Sequence, residues 1–299
     1  MIAEQPVQFI ASPTIIPFLI LPEVNALFSD RALRLSQLAP GHAMQGYLHF
    51  VASIATAQHE ARHEVAQTAL PKAEAGQPPL DYRTTQRDPA WHQVLKKILS
   101  AVADKAPALL ATRLEALLAH TSADEFENLA QGYYEGDSAR CDVGIMPIVA
   151  AALQVYWTSQ AAQLESNSIN APKHGQQARL CPVCGSHPVG SVIHTGAAHQ
   201  GLRYLVCSLC SSQWNMERIR CVNCGDNKHV AYYGIEGADS SVQAECCNAC
   251  HVYTKIANSD KNPAVESTAD DLATLSLDIL VGEAGYERYG LNPFLITEP

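Results

Sequence analysis

Apolar residues in the first half of the chain recur at intervals of three and four, the spacing of one face of an α-helix. Val24 to Ala39 carries Leu27, Phe28, Leu35 and Leu38, and Met44 to Ala66 places Tyr47, Val51, Ile54, Ala61 and Val65 near one face. Pro71, Gly76, Pro78 and Pro79 then break the pattern as far as about Arg87. Asp88 followed by Pro89 has the order of an N-cap and a first helical residue, and predicts a helix through Ala103. Pro107 opens the next, to about His120, and Ser122 and Glu125 have capping-box spacing ahead of Phe126 and Leu129. A long apolar helix is expected from Gly144 to Leu164, kinked near Pro147. These stripes read as core packing rather than as cofactor contacts.

The pattern changes after a polar stretch, Ser166 to Arg179, which reads as an interdomain linker. Short strand-like runs follow: Val189 to His194 and Arg203 to Val206, then His229 to Gly234 and Val242 to Glu245. They predict two β-hairpins. A helix from Ala269 to about Ala284, with Leu272, Leu275, Ile279 and Leu280 apolar and Ser267 or Thr268 as cap, comes next. Pro293 and Phe294 fall in an extended tail. The fold class is therefore α+β and multidomain. A helical domain spans 1–172, small units span 173–215 and 216–262, and a helix and tail span 263–299.

The cysteines turn this outline into chemistry. Nine of ten lie between Cys181 and Cys250, and eight form four CxxC knuckles: Cys181/Cys184, Cys207/Cys210, Cys221/Cys224 and Cys247/Cys250. Each half reads C-x2-C-x22-C-x2-C, and the second half repeats the first at an offset of 40 residues. A constant offset across eight potential ligands implies two copies of one metal-binding unit. Two thiolates on one tight turn can face one ion, and two such turns complete a tetrahedron. Gly185 and Gly225 follow the first knuckle of each copy, where a positive φ is useful, whereas Ser211 and His251 follow the second. This is the rubredoxin or zinc-ribbon plan, in units too small to be stable without metal. Sequential pairing, one site per copy, is the preferred arrangement; a cross-braced one joins the first knuckle to the third and the second to the fourth. Four thiolates suit iron and zinc alike. Cys246 and Cys141 lie outside the repeat, and Trp214 and Tyr253 read as packing for the small cores.

Composition narrows the function. The 299 residues carry a net charge of -10, distributed as -6 over 1–172, +2 over 173–261 and -6 over 262–299. Two loaded four-thiolate sites would shift the middle segment to about -2. A general nucleic-acid binder is normally basic, so that class is disfavoured. No apolar run reaches the roughly 20 residues of a membrane span, which argues against stable membrane insertion. No Lys or Arg precedes Arg31, so the apolar, Pro-interrupted stretch from Phe9 to Leu21 lacks the charged start of a signal peptide. A cytoplasmic chain is expected.

Five sequence blocks carry a family resemblance: CPVCGSHPVGSVIH, QGLRYLVCSLCSSQW, CVNCG, AECCNACHVYTK and ADDLATLSLDILVGEAGYERYGLNPFL, with GQPPLDYRTTQRDPAWHQVL upstream. Together they resemble the formate dehydrogenase accessory proteins of the FdhE family. The resemblance implies a helical N-terminal domain, two rubredoxin-like modules and a cytoplasmic, non-enzymatic assembly protein. Its partner would be the catalytic subunit of a respiratory formate dehydrogenase, bound before export, and a homodimer is compatible with it. It also implies two metal ions per chain, iron by family and zinc as the alternative, especially in recombinant protein. By position the ligands would be Cys181, Cys184, Cys207 and Cys210, then Cys221, Cys224, Cys247 and Cys250. Cys246 and His251 depart from the smaller residues usual beside the last knuckle.

Three other readings compete. His59-Glu60-Ala61-Arg62-His63 matches the HExxH of a metalloprotease, in which two histidines on one helical face hold zinc and the glutamate activates water. No third ligand is evident. A zinc-ribbon nucleic-acid binder would need basic stripes, which the charge distribution does not supply. Electron transfer or thiol redox catalysis at the four-thiolate sites is the third, and electron transfer would require iron rather than zinc. Arg203, Arg218 and Arg220 read as solvated cations that a partner could contact.

Overall fold

In the computed structural model, residues 16–65, 68–71, 77–166, 169, 171–172, 177–195 and 201–296 are described. Six segments fit the helical pattern closely. The first two are α1 (Val24–Leu38) and α2 (Gln45–Ala61), with a 3-10 turn from Arg62 to Val65. They are followed by α3 (Ala90–Val102), α4 (Ala108–His120) and α5 (Ala123–Glu135). Then comes α6 (Met146–Ala161). The capping box forms as its spacing predicts: Glu125 N donates to Ser122 Oγ, and Ser122 N donates to Glu125 Oε2. Asp88 Oδ1 accepts from Ala90 N at 2.8 Å, which holds the entry to α3.

Every residue of α6 after Met146 is buried, so this helix has no polar face to show. Pro147 does not kink it. The proline sits in the first turn, where its missing N–H is one that no helical carbonyl would have received. The apolar core gathers Phe28, Leu48, Trp91 and Phe126 with Trp157 of α6.

The C-terminal half forms a single sheet rather than two separate hairpins. Its strands are β2 (Pro188–Ile193), β3 (Arg203–Cys207), β4 (Gln213–Met216), β5 (Val230–Tyr233), β6 (Val242–Cys247) and β7 (Val252–Asn258). Two short strands complete it: β1 (Leu19–Ile20) and β8 (Glu287–Arg288). The order is β1-β4-β3-β2-β7-β6-β5, with β8 on β7. Each copy supplies three antiparallel strands, and the copies join where β2 runs parallel to β7, with Ser191 opposite Ile256 and Ile193 opposite Asn258. Local sequence pattern carries no signal for that pairing, which links segments over 60 residues apart.

The C-terminal helix is split. Thr274 separates α7 (Ser267–Ala273) from α8 (Leu275–Glu283), and Glu266 rather than Ser267 or Thr268 supplies the cap, accepting from Ala269 N at 2.7 Å. Lys255 Nζ donates to Thr274 O at 3.0 Å, occupying a carbonyl at the break. Two arginines of α1 reach α7: Arg31 pairs with Glu266, and Arg34 makes a two-bond fork with Asp270. The tail is packed too. Phe294 is fully buried, and its carbonyl accepts from Tyr47 Oη at 2.5 Å.

Much of the proposed linker, at 167–168, 170 and 173–176, lies outside the described residues, as do Ala66, Gly76 and the stretch before Ile16. The linker's last residues are tied down. Gln177 Nε2 donates to the carbonyls of Cys221 and Val222, and Trp214 Nε1 donates to the Ala178 carbonyl. No helix among the described residues is long and apolar enough to cross a membrane.

Candidate metal centres

The second cysteine pair of each copy follows directly from a strand, β3 ending at Cys207 and β6 at Cys247, and the first pair lies on a turn ahead of β2 or β5. In the first copy Gly185 N donates to Cys181 O at 2.9 Å, and in the second Gly225 N donates to Cys221 O at 3.0 Å. Gly185 and Gly225 take φ of 77° and 80°, the left-handed backbone the sequence anticipates. Ser211 and His251, with φ of 58° and 56°, adopt the same region without being glycine. The second knuckle thus keeps its shape at some backbone cost in both copies.

The turns bring the eight thiols into two quartets: Cys181, Cys184, Cys207 and Cys210 in one, Cys221, Cys224, Cys247 and Cys250 in the other. Within each, all four Sγ atoms lie within 4.8 Å of one another. This is the sequential arrangement, first knuckle with second and third with fourth. Sulfur separations are 3.6 Å for Cys181–Cys210 and 3.4 Å for Cys184–Cys207. In the second quartet both Cys221–Cys250 and Cys224–Cys247 measure 3.6 Å. Tetrahedral bonds of about 2.3 Å place sulfurs about 3.8 Å apart, so both quartets have the right size for a four-thiolate ion.

The electrostatics suit thiolates once charge is supplied. Burial pushes the thiols of Cys181 and Cys184 well up, so neither ionises there unaided. Cys210 feels the same burial, yet hydrogen bonds from the other three thiols and Ser212 hold it well below the ordinary thiol range. Backbone N–H groups of Leu209 and Cys210 lie 3.4 Å from Cys207 Sγ, as donors to that sulfur. Such donors favour a charged sulfur over a neutral one.

The settings differ. All four thiols of the first quartet are at most 2% exposed and belong to the same apolar core as the helices. The loop before α3 lies along the first knuckle, with Leu80 N donating to Val183 O at 2.9 Å and Tyr82 N to Cys184 O at 3.1 Å. From α6, Gln154 Nε2 donates to the carbonyl of Ser208, inside the second knuckle, at 2.6 Å. Gln154 Oε1 in turn accepts from Arg31 and Gln58. In the second quartet Cys221 and Cys247 are buried, Cys250 is half-buried and Cys224 is exposed. Its hairpin includes β5, the edge of the sheet.

Several sequence expectations change. Trp214 packs in the large shared core rather than a small private one, while Tyr253 packs against α8 and donates to Asp278 at 2.7 Å. Arg203 is no solvated cation. Its side chain is fully buried between the copies, paired with Glu245 at 2.7 Å and donating to Ser191 Oγ and the Arg220 carbonyl. Cys246 is buried on the α8 face, with its thiol pushed up to about 12 by burial, and Cys141 is likewise buried and pushed up to about 12. Neither joins a quartet. His59, Glu60 and His63 form no ligand cluster among the described residues. The α-helix ends at Ala61 and a 3-10 turn carries His63, and Glu60 and His63 are exposed.

Comparison with known proteins covers nearly the whole chain. Family models described as "FdhE, N-terminal", "FdhE, central domain" and "FdhE, C-terminal domain" match residues 16–173, 180–218 and 219–295. A curated "Protein FdhE homolog" of Edwardsiella ictaluri is 40% identical over 93% of this chain and 91% of its own length. The Serratia proteamaculans homolog is 36% identical over 94% of this chain and 91% of its own length. The crystal structure of the FdhE protein from Pseudomonas aeruginosa superposes with a TM-score of 0.81 at 32% identity, covering 95% of this chain and 100% of that one.

Proposed function

The chain belongs to the FdhE family, and on that premise we propose that it is a non-enzymatic accessory protein for a respiratory formate dehydrogenase. In this reading it binds the catalytic subunit in the cytoplasm and supports its maturation before export. The observation that carries the reading is the pair of preformed four-cysteine quartets on one sheet, the first continuous with the helical core. Metal in the quartets would fix the relative position of the helical surface and both hairpin units, presenting one rigid face to a client.

Cys181, Cys184, Cys207 and Cys210 would hold one ion, and Cys221, Cys224, Cys247 and Cys250 the other. The units they anchor would span about 173–215 and 216–262. Iron is the proposed metal, with zinc taking its place in recombinant protein. Bound iron supplies a one-electron couple, whereas zinc supplies only a structural clamp. A reversible redox titration of protein purified from anaerobic cells distinguishes them: iron gives a reduction wave and zinc gives none.

An affinity capture from anaerobically grown cells tests the function. The formate dehydrogenase catalytic subunit should be enriched on the wild-type chain and lost on a Cys184→Ser, Cys224→Ser double variant. Unchanged capture and unchanged enzyme maturation with that variant would remove the metal sites from the account.

A further inference from the structure

The two quartets match in ligand geometry but not in access, and we propose that they differ in function accordingly. The first is a permanent structural site, and the second exchanges its ion with soft thiolate ligands in solution, Cys224 being the thiolate displaced first. The inference rests on the reading that both quartets hold metal.

Around the first quartet all four thiols are buried. The loop carrying Leu80 and Tyr82 hydrogen-bonds along one knuckle, and Gln154 holds the other. A Cβ added at Gly185 would meet Asp81 Oδ1 and Pro78 Cγ at 3.7 Å, so this turn is covered by the helical half of the molecule. A competing ligand reaches these sulfurs only after part of the shared core opens, and such opening lies at the high end of the local unfolding scale.

Around the second quartet the cover is partial. Gln177 holds the first knuckle from one side, and β8 pairs with β7 at Val252 and Tyr253 on the other. Between them, Cys224 faces solvent, and Asn248, Ala249 and His251 of the opposite knuckle are exposed. Among the described residues the hairpin's outer strand, β5, pairs only with β6, so this corner can open without disturbing the sheet beyond it.

Exchange then needs no change in oxidation state. An incoming thiolate forms a bond to the ion as the bond to Cys224 Sγ breaks, and the freed Cys224 thiolate takes a proton from water. Repetition at Cys250, the next most accessible sulfur, and then at Cys221 and Cys247 would carry the ion out bound to the incoming thiolates. The chain would therefore exist in a two-ion and a one-ion form, the latter keeping the helical core and the first unit intact.

The test uses the full metal-loaded chain. Metal content is first measured by mass spectrometry. The protein is then challenged with a thiol chelator and, in parallel, with iodoacetamide, while metal release, cysteine labelling and far-ultraviolet circular dichroism are followed. The expected result is two phases. One ion leaves faster than the other by about tenfold or more, the gap set by partial against near-global opening. Cys224 is labelled first, and helical signal is retained after the first phase. Release of both ions in one phase overturns the asymmetry, as does labelling of Cys181 or Cys184 ahead of Cys224. A starting protein with no ion in either quartet instead overturns the metal reading beneath it, so the two failures are distinguishable.

Discussion

The two quartets share a spacing, a pair of left-handed turns and sulfur separations of 3.4 to 3.6 Å, yet one lies in the molecule's largest core and the other at a sheet edge. What differs is everything beyond the knuckles. The first copy meets α6, the Leu80 loop and Trp214's apolar surroundings, while the second meets α8, the β8 strand and water. Ligand geometry is a local property that duplication copies faithfully. Environment is set by long-range packing, and duplication does not copy it.

The comparison can be broken most severely at the join between the copies. Arg203→Leu leaves Glu245 buried without its cation, and removal of one partner of such a pair costs about 3–5 kcal/mol. Urea unfolding should show that loss, and the Arg203→Leu, Glu245→Leu double variant should recover part of it. Two independent hairpin units would instead make Arg203→Leu nearly silent. Next comes Gly290→Ala, because a Cβ there would overlap the Pro188 carbonyl oxygen at the start of β2. The expected cost is about 2 kcal/mol, read as a lower thermal midpoint.

Gln154→Leu probes the contact from α6 to the first site. It strands the Ser208 carbonyl and removes the acceptor shared by Arg31 and Gln58, for about 1–3 kcal/mol. Metal at the first quartet should become easier to extract, with the second unaffected. The smallest effect is expected at Glu127, which belongs to neither quartet. Its carboxyl is itself raised by burial, but hydrogen bonds from Trp91, Arg87 and His92 and the Arg87 charge outweigh this and hold it below the ordinary range. A lowered folded-state value means the contribution is complete above the usual carboxylate range. It fades as pH falls through the lowered value. Since the side chain is 41% exposed, Glu127→Gln should cost below about 1 kcal/mol at neutral pH, and the wild-type advantage should vanish in acid denaturation curves.

The sequence was most legible where structure is local. Helix positions, the Ser122–Glu125 capping box, the hairpins and the division into quartets follow from spacing and turn chemistry. It was less legible where charge is buried or chain segments meet at a distance. Arg203 looks like any surface arginine until β3 and β6 are placed in one sheet and Glu245 faces it. Similarly, Thr274 lies in an apolar run that predicts one helix, and the break is explained only by Lys255 reaching across from β7. The burial of the first quartet could not be read from Cys181 to Cys210, because the residues that cover it, Leu80, Tyr82 and Gln154, belong to the helical half.

The central claim is that matching quartets occupy unequal positions in the fold. It is tested most directly by calorimetric unfolding of Cys184→Ser and Cys224→Ser, each with its metal content measured. The account predicts that Cys224→Ser keeps one ion and a cooperative transition close to wild type. Cys184→Ser should lose the main transition, or lower it far more, because its site is part of the shared core. Equal losses in the two variants, or a greater loss for Cys224→Ser, would contradict it.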